Sequence, residues 1–351
     1  MTEAIAEASA RVRAGVGLFD MDDRGLLEVR GSDRIRWLDG MITADVEALE
    51  RRGEGAGAAA LLLTHRGAIV ADLHVGRIGD ALLLECAREA CLPVREALER
   101  RIIADDVVLT DHSEAYAVLG VEGVGAEEVL ARAIEDAGIP AREGWARVRV
   151  AATESLVAGF GWSGERAFQI RTEPDARDRV RAALEQAARA LDVDCVRGDR
   201  SLLDLLRIES GIPALGSELD EDVLPPEARL ERSIAVNKGC YVGQEIVARL
   251  RSRGQVNHLL VGLRLDGDAG AAAGGGLSVA GRTTGELTSV VRSPSQGWIA
   301  LAYVRREHAE PGTAIEIAGG GSARVVALPF VPPASGSSSP PTASSAPDRL
   351  P

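Results

Sequence analysis

The sequence predicts an α+β protein that ends in a small antiparallel β-barrel, and three observations lead to this prediction. Strand-like runs and helical segments alternate through residues 1–194. After residue 257 the strand-like runs are separated by Gly-rich or Pro-rich turns, and no long helical pattern remains. Apolar residues make up 46% of the 351 positions, which is enough for a large buried core.

The N-terminal region is predicted to contain strands with short helices. A strand is expected at residues 26–31, and Ser32 with Asp33 can cap a short helix that runs to Leu38. Apolar runs predict three more strands, at residues 61–63, 69–75 and 81–84. These strands would form the first antiparallel sheet.

A second α+β unit follows. Helices are predicted at residues 126–137 and 177–191, the latter starting with a capping-box pattern and a proline at residues 172–175. Strands are predicted at residues 115–121, 148–152, 156–160 and 167–171. This order favours a layer of strands with helices packed on one face.

The barrel strands are predicted at residues 259–265, 282–292, 298–304, 314–317 and 324–328. The chain then divides into four parts: an N-terminal α+β domain at 1–106 to which the chain returns at about 195–256, a second α+β domain at 107–194, a barrel at 257–331, and a disordered Ser/Pro/Ala-rich tail at 332–351.

Charge and cysteine content exclude several classes of protein. The net charge of −13 argues against nucleic acid or a membrane surface as a partner, because proteins that bind phosphate-rich surfaces are usually basic. The first 15 residues lack an apolar core, so we expect no secretory signal, and no apolar run is long enough to span a bilayer. The four cysteines form no C-x-x-C pair, which fits a reduced cytoplasm.

The densest unusual stretch is residues 237–245. Lys238 is the one lysine among 40 basic residues, which suggests a role that a guanidinium cannot fill, although chance survival of one codon is an alternative. Gly239 and Gly243 allow a tight turn around Cys240 and Tyr241. Gln244 and Glu245 would open a helix there.

The N-terminus of that helix and the ammonium of Lys238 would both lower the pKa of a thiol at Cys240. Cys240 is therefore a candidate nucleophile or soft-metal ligand. The alternative is a small buried cysteine in a turn.

Two further groups have weaker implications. Arg249, Arg251 and Arg253 would share one face if their segment is extended, and could then receive a carboxylate-rich ligand, but a solvated positive face is favoured. Asp72 and His74 would face the same side of a strand, so a hydrogen-bonded pair is favoured over a metal site.

The run Lys238-Gly239-Cys240-Tyr241-Val242-Gly243-Gln244-Glu245, with Arg249 and Arg253-Gly254 after it, resembles the signature of YgfZ-type folate-binding proteins. Those proteins are relatives of the glycine-cleavage aminomethyltransferase and of factors that help to mature iron–sulfur proteins. The resemblance extends from about residue 15 to residue 330, through segments at 16–20, 42–46, 161–169, 206–213, 299–304 and 310–313.

The resemblance implies three domains in a clover arrangement around a central pocket for tetrahydrofolate or a one-carbon derivative. It implies folate contacts from Asp72, Trp162, Gln169, Arg207, Arg249 and Arg253. It also makes Cys240 a candidate catalytic residue or transient cluster ligand, tuned by Lys238, with Gly239, Tyr241, Gly243, Gln244 and Glu245 shaping the motif.

At three positions this chain differs from the aminomethyltransferases, and these differences suggest which branch of the superfamily it belongs to. The aminomethyltransferases carry a catalytic aspartate, a pterin-facing glutamate and an arginine where this chain has Ala71, Gln169 and Leu203. Losing carboxylates beside a cationic amine would remove charge stabilisation and acid–base capacity. We therefore expect a role in iron–sulfur cluster assembly or repair, which would support enzymes such as tRNA-modifying ones, with iron–sulfur client or scaffold proteins as partners.

Two alternatives stay open at this point. The first is a folate-dependent aminomethyltransferase or methyltransferase of the glycine-cleavage type. The second is a non-catalytic binding module in which Cys240 is structural. Whether the protein catalyses a reaction is not decided by the sequence.

Overall fold

The computed structural model describes residues 3–267 and 271–334. Its strands form a five-stranded sheet, a six-stranded sheet and a closed six-stranded barrel, with helices packed around them. The predicted α+β class with a C-terminal barrel is therefore confirmed. The predicted tail lies largely outside the described residues.

The strands in chain order are β1 (Val16–Asp20), β2 (Arg24–Arg30), β3 (Gly57–Leu63), β4 (Ile69–Ile78), β5 (Ala81–Ala87), β6 (Val108–Asp111), β7 (Ala117–Glu122), β8 (Trp145–Val150), β9 (Thr153–Ala158), β10 (Phe168–Thr172), β11 (Cys195–Gly198), β12 (His258–Leu265), β13 (Gly276–Val279), β14 (Arg282–Ser293), β15 (Gly297–Arg305), β16 (Ala314–Ile317) and β17 (Ser322–Val326). The α-helices are α1 (Glu3–Ala14), α2 (Arg34–Asp39), α3 (Val46–Arg52), α4 (Arg88–Glu99), α5 (Ala126–Ala133), α6 (Arg177–Ala190), α7 (Arg200–Glu209) and α8 (Gln244–Arg253). Short 3-10 helices lie at Pro174–Ala176, Glu231–Ser233 and Arg306–His308.

The five-stranded sheet has the order β3-β4-β5-β2-β6 and is antiparallel throughout. Strand side chains alternate between two faces. One face buries Leu27, Leu73 and Leu84 with residues of α2, α3 and α4. The other face carries Asp72, His74 and Glu85, of which His74 and Glu85 are cross-strand partners. This face is directed at the second sheet, where Arg171 contacts Glu85.

The six-stranded sheet has the order β11-β1-β7-β10-β9-β8, and β11 is the one strand of it that runs parallel to its neighbour. Helices α5 and α6 cover one face. Strands β1 and β11 come from outside residues 107–194, so this sheet draws on more of the chain than the predicted second domain does. The sheet extends beyond the predicted domain because β1, from the N-terminal part of the chain, pairs with one edge of β7.

The two sheets pack face to face through a shared apolar cluster that includes Leu26, Leu83, Trp145 and Phe160. The ring of His74 stacks on Phe160 with 3.5 Å between centroids. This packing brings polar residues of both sheets together at one end of the interface, where the candidate site lies.

The barrel closes in the order β12-β15-β14-β13-β16-β17. Helix α7 joins it to the rest of the chain, because Ile208 packs with Leu260 and Ile299, and Ser293 donates a hydrogen bond of 2.6 Å to Glu209. Strand β13 was not predicted, because only its Leu277 is buried and its pattern is short.

Several helices differ from the prediction. Helices α1, α3, α4 and α7 were not predicted, and α4 even contains Pro93. Helix α5 ends at Ala133, four residues earlier than expected. The capping box at residues 172–175 does not form, since Glu173 makes no side-chain cap and Pro174 starts a 3-10 turn instead. Every helix in the described residues is too short or too polar to cross a membrane.

Candidate ligand-binding site

A cavity of about 520 Å³ lies where the two sheets and α7 meet. Its walls come from segments far apart in the chain, which is why no single motif marks it. The lining residues are Met21, Asp23, Arg24, Asp72, Ala87, Arg88, Glu89, Trp162, Arg200, Leu203, Asp204, Arg207, Ala214 and Leu215. Four arginines and four carboxylates line this one cavity, so it is polar but close to charge-balanced in a chain with a net charge of −13.

Asp72 is the lining carboxylate that is best placed for chemistry. Asp23 and Asp204 both pair with Arg200, and Glu89 is unpaired but exposed. The half-buried carboxylate of Asp72 makes no hydrogen bond or ion pair with any described residue. It lies on β4 beside Ala71, and the two side chains point to opposite faces of the strand. Ala71 is fully buried in the core under α3 and α4.

The position of Ala71 corrects the expectation drawn from that residue. A carboxylate at 71 would point into the apolar core, whereas Asp72 lines the cavity. The alanine therefore does not remove an acid from the cavity.

Trp162 forms the aromatic wall. Its backbone N–H and that of Ser163 donate to the buried carboxylate of Glu122 at 3.0 and 2.9 Å, which fixes the loop. Burial raises the pKa of Glu122, and these bonds oppose the rise. The guanidinium of Arg24 lies 4.9 Å from the centre of the Trp162 ring, within cation–π range.

A buried charged cluster lies behind Arg24. The fully buried Glu85 receives Arg24 at 2.6 Å, Arg171 at 3.3 Å and the amide of Gln169 at 3.4 Å, all on one carboxylate oxygen. Burial would raise the pKa of Glu85, but Arg24 and Arg171 outweigh it and hold that pKa below its ordinary value. Burial also lowers the pKa of Arg171 to about 10.

This cluster gives a physical reason for Gln169. A glutamate at this place would put a second carboxylate about as close to Glu85 as the present 3.4 Å contact, without water between them. The amide avoids that repulsion and donates instead. Gln169 is fully buried and does not line the cavity, so its predicted folate contact is indirect at most in this structure.

Arg207 lines the cavity and also holds the barrel in place. Its guanidinium donates to Glu218 at 2.9 Å and to the carbonyl of Ile212 at 2.8 Å. Glu218 in turn accepts bonds from Thr288 and Ser289 of β14, at 2.8 and 2.5 Å. Arg207 is therefore anchored before any ligand arrives.

Lys238 lies outside the cavity, and its ammonium donates hydrogen bonds to backbone carbonyls. Its ammonium donates to the carbonyls of Asp39, Ile42 and Ala44 at 2.6, 3.0 and 2.5 Å, and lies 3.1 Å from the Asp39 carboxylate. Burial lowers the pKa of Lys238, and Asp39 opposes this. Three convergent acceptors suit a compact ammonium better than a planar guanidinium.

Cys240 does not lie where a candidate catalytic residue at the ligand cavity would be expected. Its side chain is exposed, makes no hydrogen bond to any described residue, and is not among the residues that line the central cavity. Lys238 cannot activate the thiol, because its donors point at the carbonyls of residues 39–44. The alternative of a buried cysteine is also wrong.

The rest of the motif builds a turn. The side-chain oxygen of Gln244 accepts the N–H of Tyr241 at 3.2 Å, and Tyr241 is buried. Gly243 has φ +82°, and a Cβ there would come within 2.6 Å of the Thr64 carbonyl oxygen, so glycine is required. Gly239 and Glu245 are exposed.

The arginines after the motif and the histidine pair also differ from expectation. Arg249 is exposed on α8, and because residues 244–253 are helical, Arg249 and Arg251 point in different directions. The side chain of Arg253 lies outside the described part of the structure. His74 contacts Glu143 at 2.9 Å and not Asp72, and burial, which lowers its pKa, is outweighed by Glu143, so the pKa of His74 is raised.

Sequence reasoning missed Arg24, Glu85 and Arg171. They lie on β2, β5 and β10, in two different sheets, so no spacing in the chain connects them. The clearest signal was Glu85, the one charged residue in the apolar strand β5. Arg24 begins β2, which also carries Glu28 and Arg30, so it did not stand out.

A three-part α+β fold with a polar cavity at its junction is typical of a protein that binds a small molecule. Residues 1–238 match the family model described as the GCVT N-terminal domain, and residues 259–332 match the glycine cleavage T-protein C-terminal barrel domain. The chain therefore belongs to the glycine-cleavage T-protein family.

Individual relatives agree with this. The chain is 33% identical over 331 residues to an aminomethyltransferase of Streptomyces avermitilis, with 91% of this chain and 87% of that protein covered. It is 34% identical over 328 residues to an aminomethyltransferase of Rubrobacter xylanophilus, with 91% and 84% covered. The solved structure of glycine cleavage system aminomethyltransferase T from Bartonella henselae has the same fold, with a TM-score of 0.79 at 24% identity, covering 93% of this chain and 89% of that one.

These relatives overturn the iron–sulfur interpretation. Aminomethyltransferases match this chain at 33–34% identity over nearly its whole length, so the expected role in cluster assembly or repair, with its effect on tRNA-modifying enzymes, is wrong. The expected iron–sulfur partners have no support. The error came from the weight given to Ala71, Gln169, Leu203 and Cys240, of which only Leu203 lines the cavity.

Proposed function

We propose that the protein is a folate-dependent aminomethyltransferase of the glycine-cleavage type. In this proposal the central cavity binds tetrahydrofolate or a one-carbon derivative. The observation that carries the proposal is the half-buried, unpaired carboxylate of Asp72, in a cavity where Asp23 and Asp204 are paired and Glu89 is exposed, in a chain whose relatives bear the name aminomethyltransferase. The cytoplasmic location expected from the sequence remains a prediction.

The residues of the cavity have distinct proposed roles. Tetrahydrofolate supplies the nitrogen that accepts the one-carbon unit. Trp162 offers a flat apolar face on which a fused ring can stack, with Arg24 behind it. Asp72 lies where a carboxylate can stabilise a cationic amine and accept or return a proton. Arg88 and Arg200 can meet the negative charge of a glutamate tail.

The segment at residues 238–245, which resembles YgfZ-type proteins, has a structural role in this proposal. It ties the chain that returns after α7 to the carbonyls at the end of α2. Arg249 lies on the exposed side of α8 and is not assigned a folate contact.

The test has two parts. Purified protein is titrated with tetrahydrofolate, and its turnover is measured with an aminomethyl-loaded lipoyl carrier protein. We expect binding together with tetrahydrofolate-dependent consumption of the aminomethyl group. Binding without consumption by the wild type would leave only a binding module, and absence of both would refute the proposal.

A variant pair locates the binding. Trp162→Ala should weaken tetrahydrofolate binding by about threefold to tenfold, the size of one aromatic contact. Trp298→Ala, in β15 of the barrel and away from the cavity, is the matched control and should bind as the wild type does. Equal losses in both variants would place the ligand elsewhere.

A further inference from the structure

Two cysteines lie in contact directly behind one wall of the cavity. Cys86 is near the end of β5 and Cys91 is in the first turns of α4, and their sulfurs are 3.5 Å apart. Cys86 is fully buried and Cys91 is 3% exposed. Both belong to the core of the five-stranded sheet and take no part in the proposed transfer reaction.

The surrounding residues leave room for this pair. Gly25 of β2 is the cross-strand partner of Cys86, and a Cβ at Gly25 would overlap the sulfur of Cys91. The hydroxyl of Ser113 lies 3.4 Å from the same sulfur. A glycine opposite and a hydroxyl beside it give Cys91 space and a polar partner that an ordinary core cysteine lacks.

The two thiols are not equivalent. The hydrogen bond from Cys86 lowers the pKa of Cys91 to about 7, with burial opposing and Ser113 assisting. The same contact, together with burial, raises the pKa of Cys86 well above its ordinary value. The pair thus places a thiol of lowered pKa in contact with one of raised pKa, with 3.5 Å between the sulfurs, which is close enough for a disulfide to form after a small shift.

We propose that Cys86 and Cys91 form a reversible disulfide under oxidation by a hydroperoxide. The Cys91 thiolate attacks the peroxide oxygen and becomes a sulfenic acid, and the leaving oxygen takes up a proton to become water or an alcohol. The Cys86 sulfur then attacks the sulfenic sulfur and releases water. The balance is two thiols and one hydroperoxide converted into one disulfide, one water, and one further water or alcohol.

The bond would act on the cavity through the short segment between the cysteines. Ala87, Arg88 and Glu89 line the cavity, and the disulfide would close a loop that contains all three. The sulfurs must approach from 3.5 Å to about 2.05 Å, so the first turn of α4 would be drawn towards β5. Oxidation would therefore fix one wall of the cavity.

The experiment treats the full-length protein with hydrogen peroxide and then digests it with trypsin without reduction. Trypsin cuts after Arg77, Arg88 and Arg95, so the two cysteines fall in separate peptides, residues 78–88 and 89–95, which only a disulfide can hold together. We expect this linked pair, two thiols lost out of four, and full recovery after reduction.

The exposed Cys240 and the half-buried Cys195 serve as internal controls. The variant Cys240→Ala should form the same linked peptides, and Cys86→Ser should not. If Cys86→Ser fails to fold, the wild-type peptide map decides by itself. Four intact thiols after oxidation, or a linkage that involves Cys240 or Cys195, would overturn the proposal.

Discussion

The central cavity and the loop at residues 238–245 differ in how they present their unusual residues. The loop gathers a lysine, a cysteine, a tyrosine and two glycines within eight positions, and the structure uses nearly all of them for backbone geometry. The cavity draws its residues from segments between Met21 and Leu215, and none of these segments is conspicuous alone. The dense cluster of rare residues in the sequence therefore has a structural role, and the residue proposed to take part in the reaction, Asp72, belongs to the dispersed set.

The loop and the cavity also differ in how completely their charged groups are paired. In the loop, the single ammonium is satisfied by three carbonyls and a carboxylate. At the cavity Asp72 is unpaired, and in the buried cluster behind it some polar atoms of Arg24, Glu85, Gln169 and Arg171 make no hydrogen bond to a described residue. Unsatisfied buried polar groups are costly, and they are kept where function requires them.

The largest expected effect is at Asp72. Replacing Asp72 with Asn should lower kcat by about 10²–10⁴-fold, because the amide can neither carry charge nor take a proton. Tetrahydrofolate binding should change little. Steady-state kinetics with the aminomethyl-loaded carrier provide the measurement. Glu89→Gln is the control, since Glu89 lines the same cavity, and similar losses in both variants would argue against a specific role for Asp72.

The next effect is on stability, at Lys238. Lys238→Met should cost about 3 kcal/mol in the free energy of unfolding, because three carbonyls and Asp39 lose a buried charged donor. Lys238→Arg should not restore the wild-type value, because a planar guanidinium cannot meet three convergent acceptors in that space. Urea unfolding curves measure both. Wild-type stability in the Met variant would show that the contacts carry no net energy.

A smaller, pH-dependent effect is expected at Gln169. Gln169→Glu places two carboxylates in contact beside Arg24 and Arg171, so one of them should keep its proton and have a raised pKa. A group whose pKa is raised on folding stabilises at low pH, and the stability is lost as pH rises through that pKa. The variant should therefore lie about 2 kcal/mol below the wild type at pH 8 and closer to it at pH 5.

Thermal unfolding at both pH values checks this. The variant Gln169→Glu with Glu85→Gln returns the cluster to one carboxylate, and it should lose the difference between pH 5 and pH 8. A pH-independent loss in the single variant would mean that the substitution acts through shape and not through charge.

Much of the fold could be predicted from the sequence, because apolar runs and turn residues are local signals. The strands of the first sheet and of the barrel were anticipated on that basis, with β6 and β13 as the exceptions. The helices were harder to predict. Helix α4 buries one face, at Ala90, Cys91, Val94 and Leu98, but its Pro93 argued against a helix. Helix α7 directs apolar residues both at the six-stranded sheet and at the barrel, so it has no simple one-sided pattern.

The site was predicted in part. Asp72, Trp162 and Arg207 were expected near the ligand and do line the cavity, although their folate contacts stay a prediction. The cluster of Arg24, Glu85 and Arg171 could not be predicted, because it forms only when two sheets pack together. The branch was misjudged because Ala71 was compared with the family motif alone, although the alternation of Ala71 and Leu73 with Asp72 and His74 places Ala71 on the apolar face of β4.

The most direct test of where the chemistry lies is the turnover number of Cys240→Ala. The thiol is exposed, unpaired and outside the cavity. We predict that kcat for aminomethyl transfer stays within about twofold of the wild type, as expected for a surface substitution. A loss of tenfold or more in a variant that still folds and binds tetrahydrofolate would contradict the account and return the reaction to the cysteine loop.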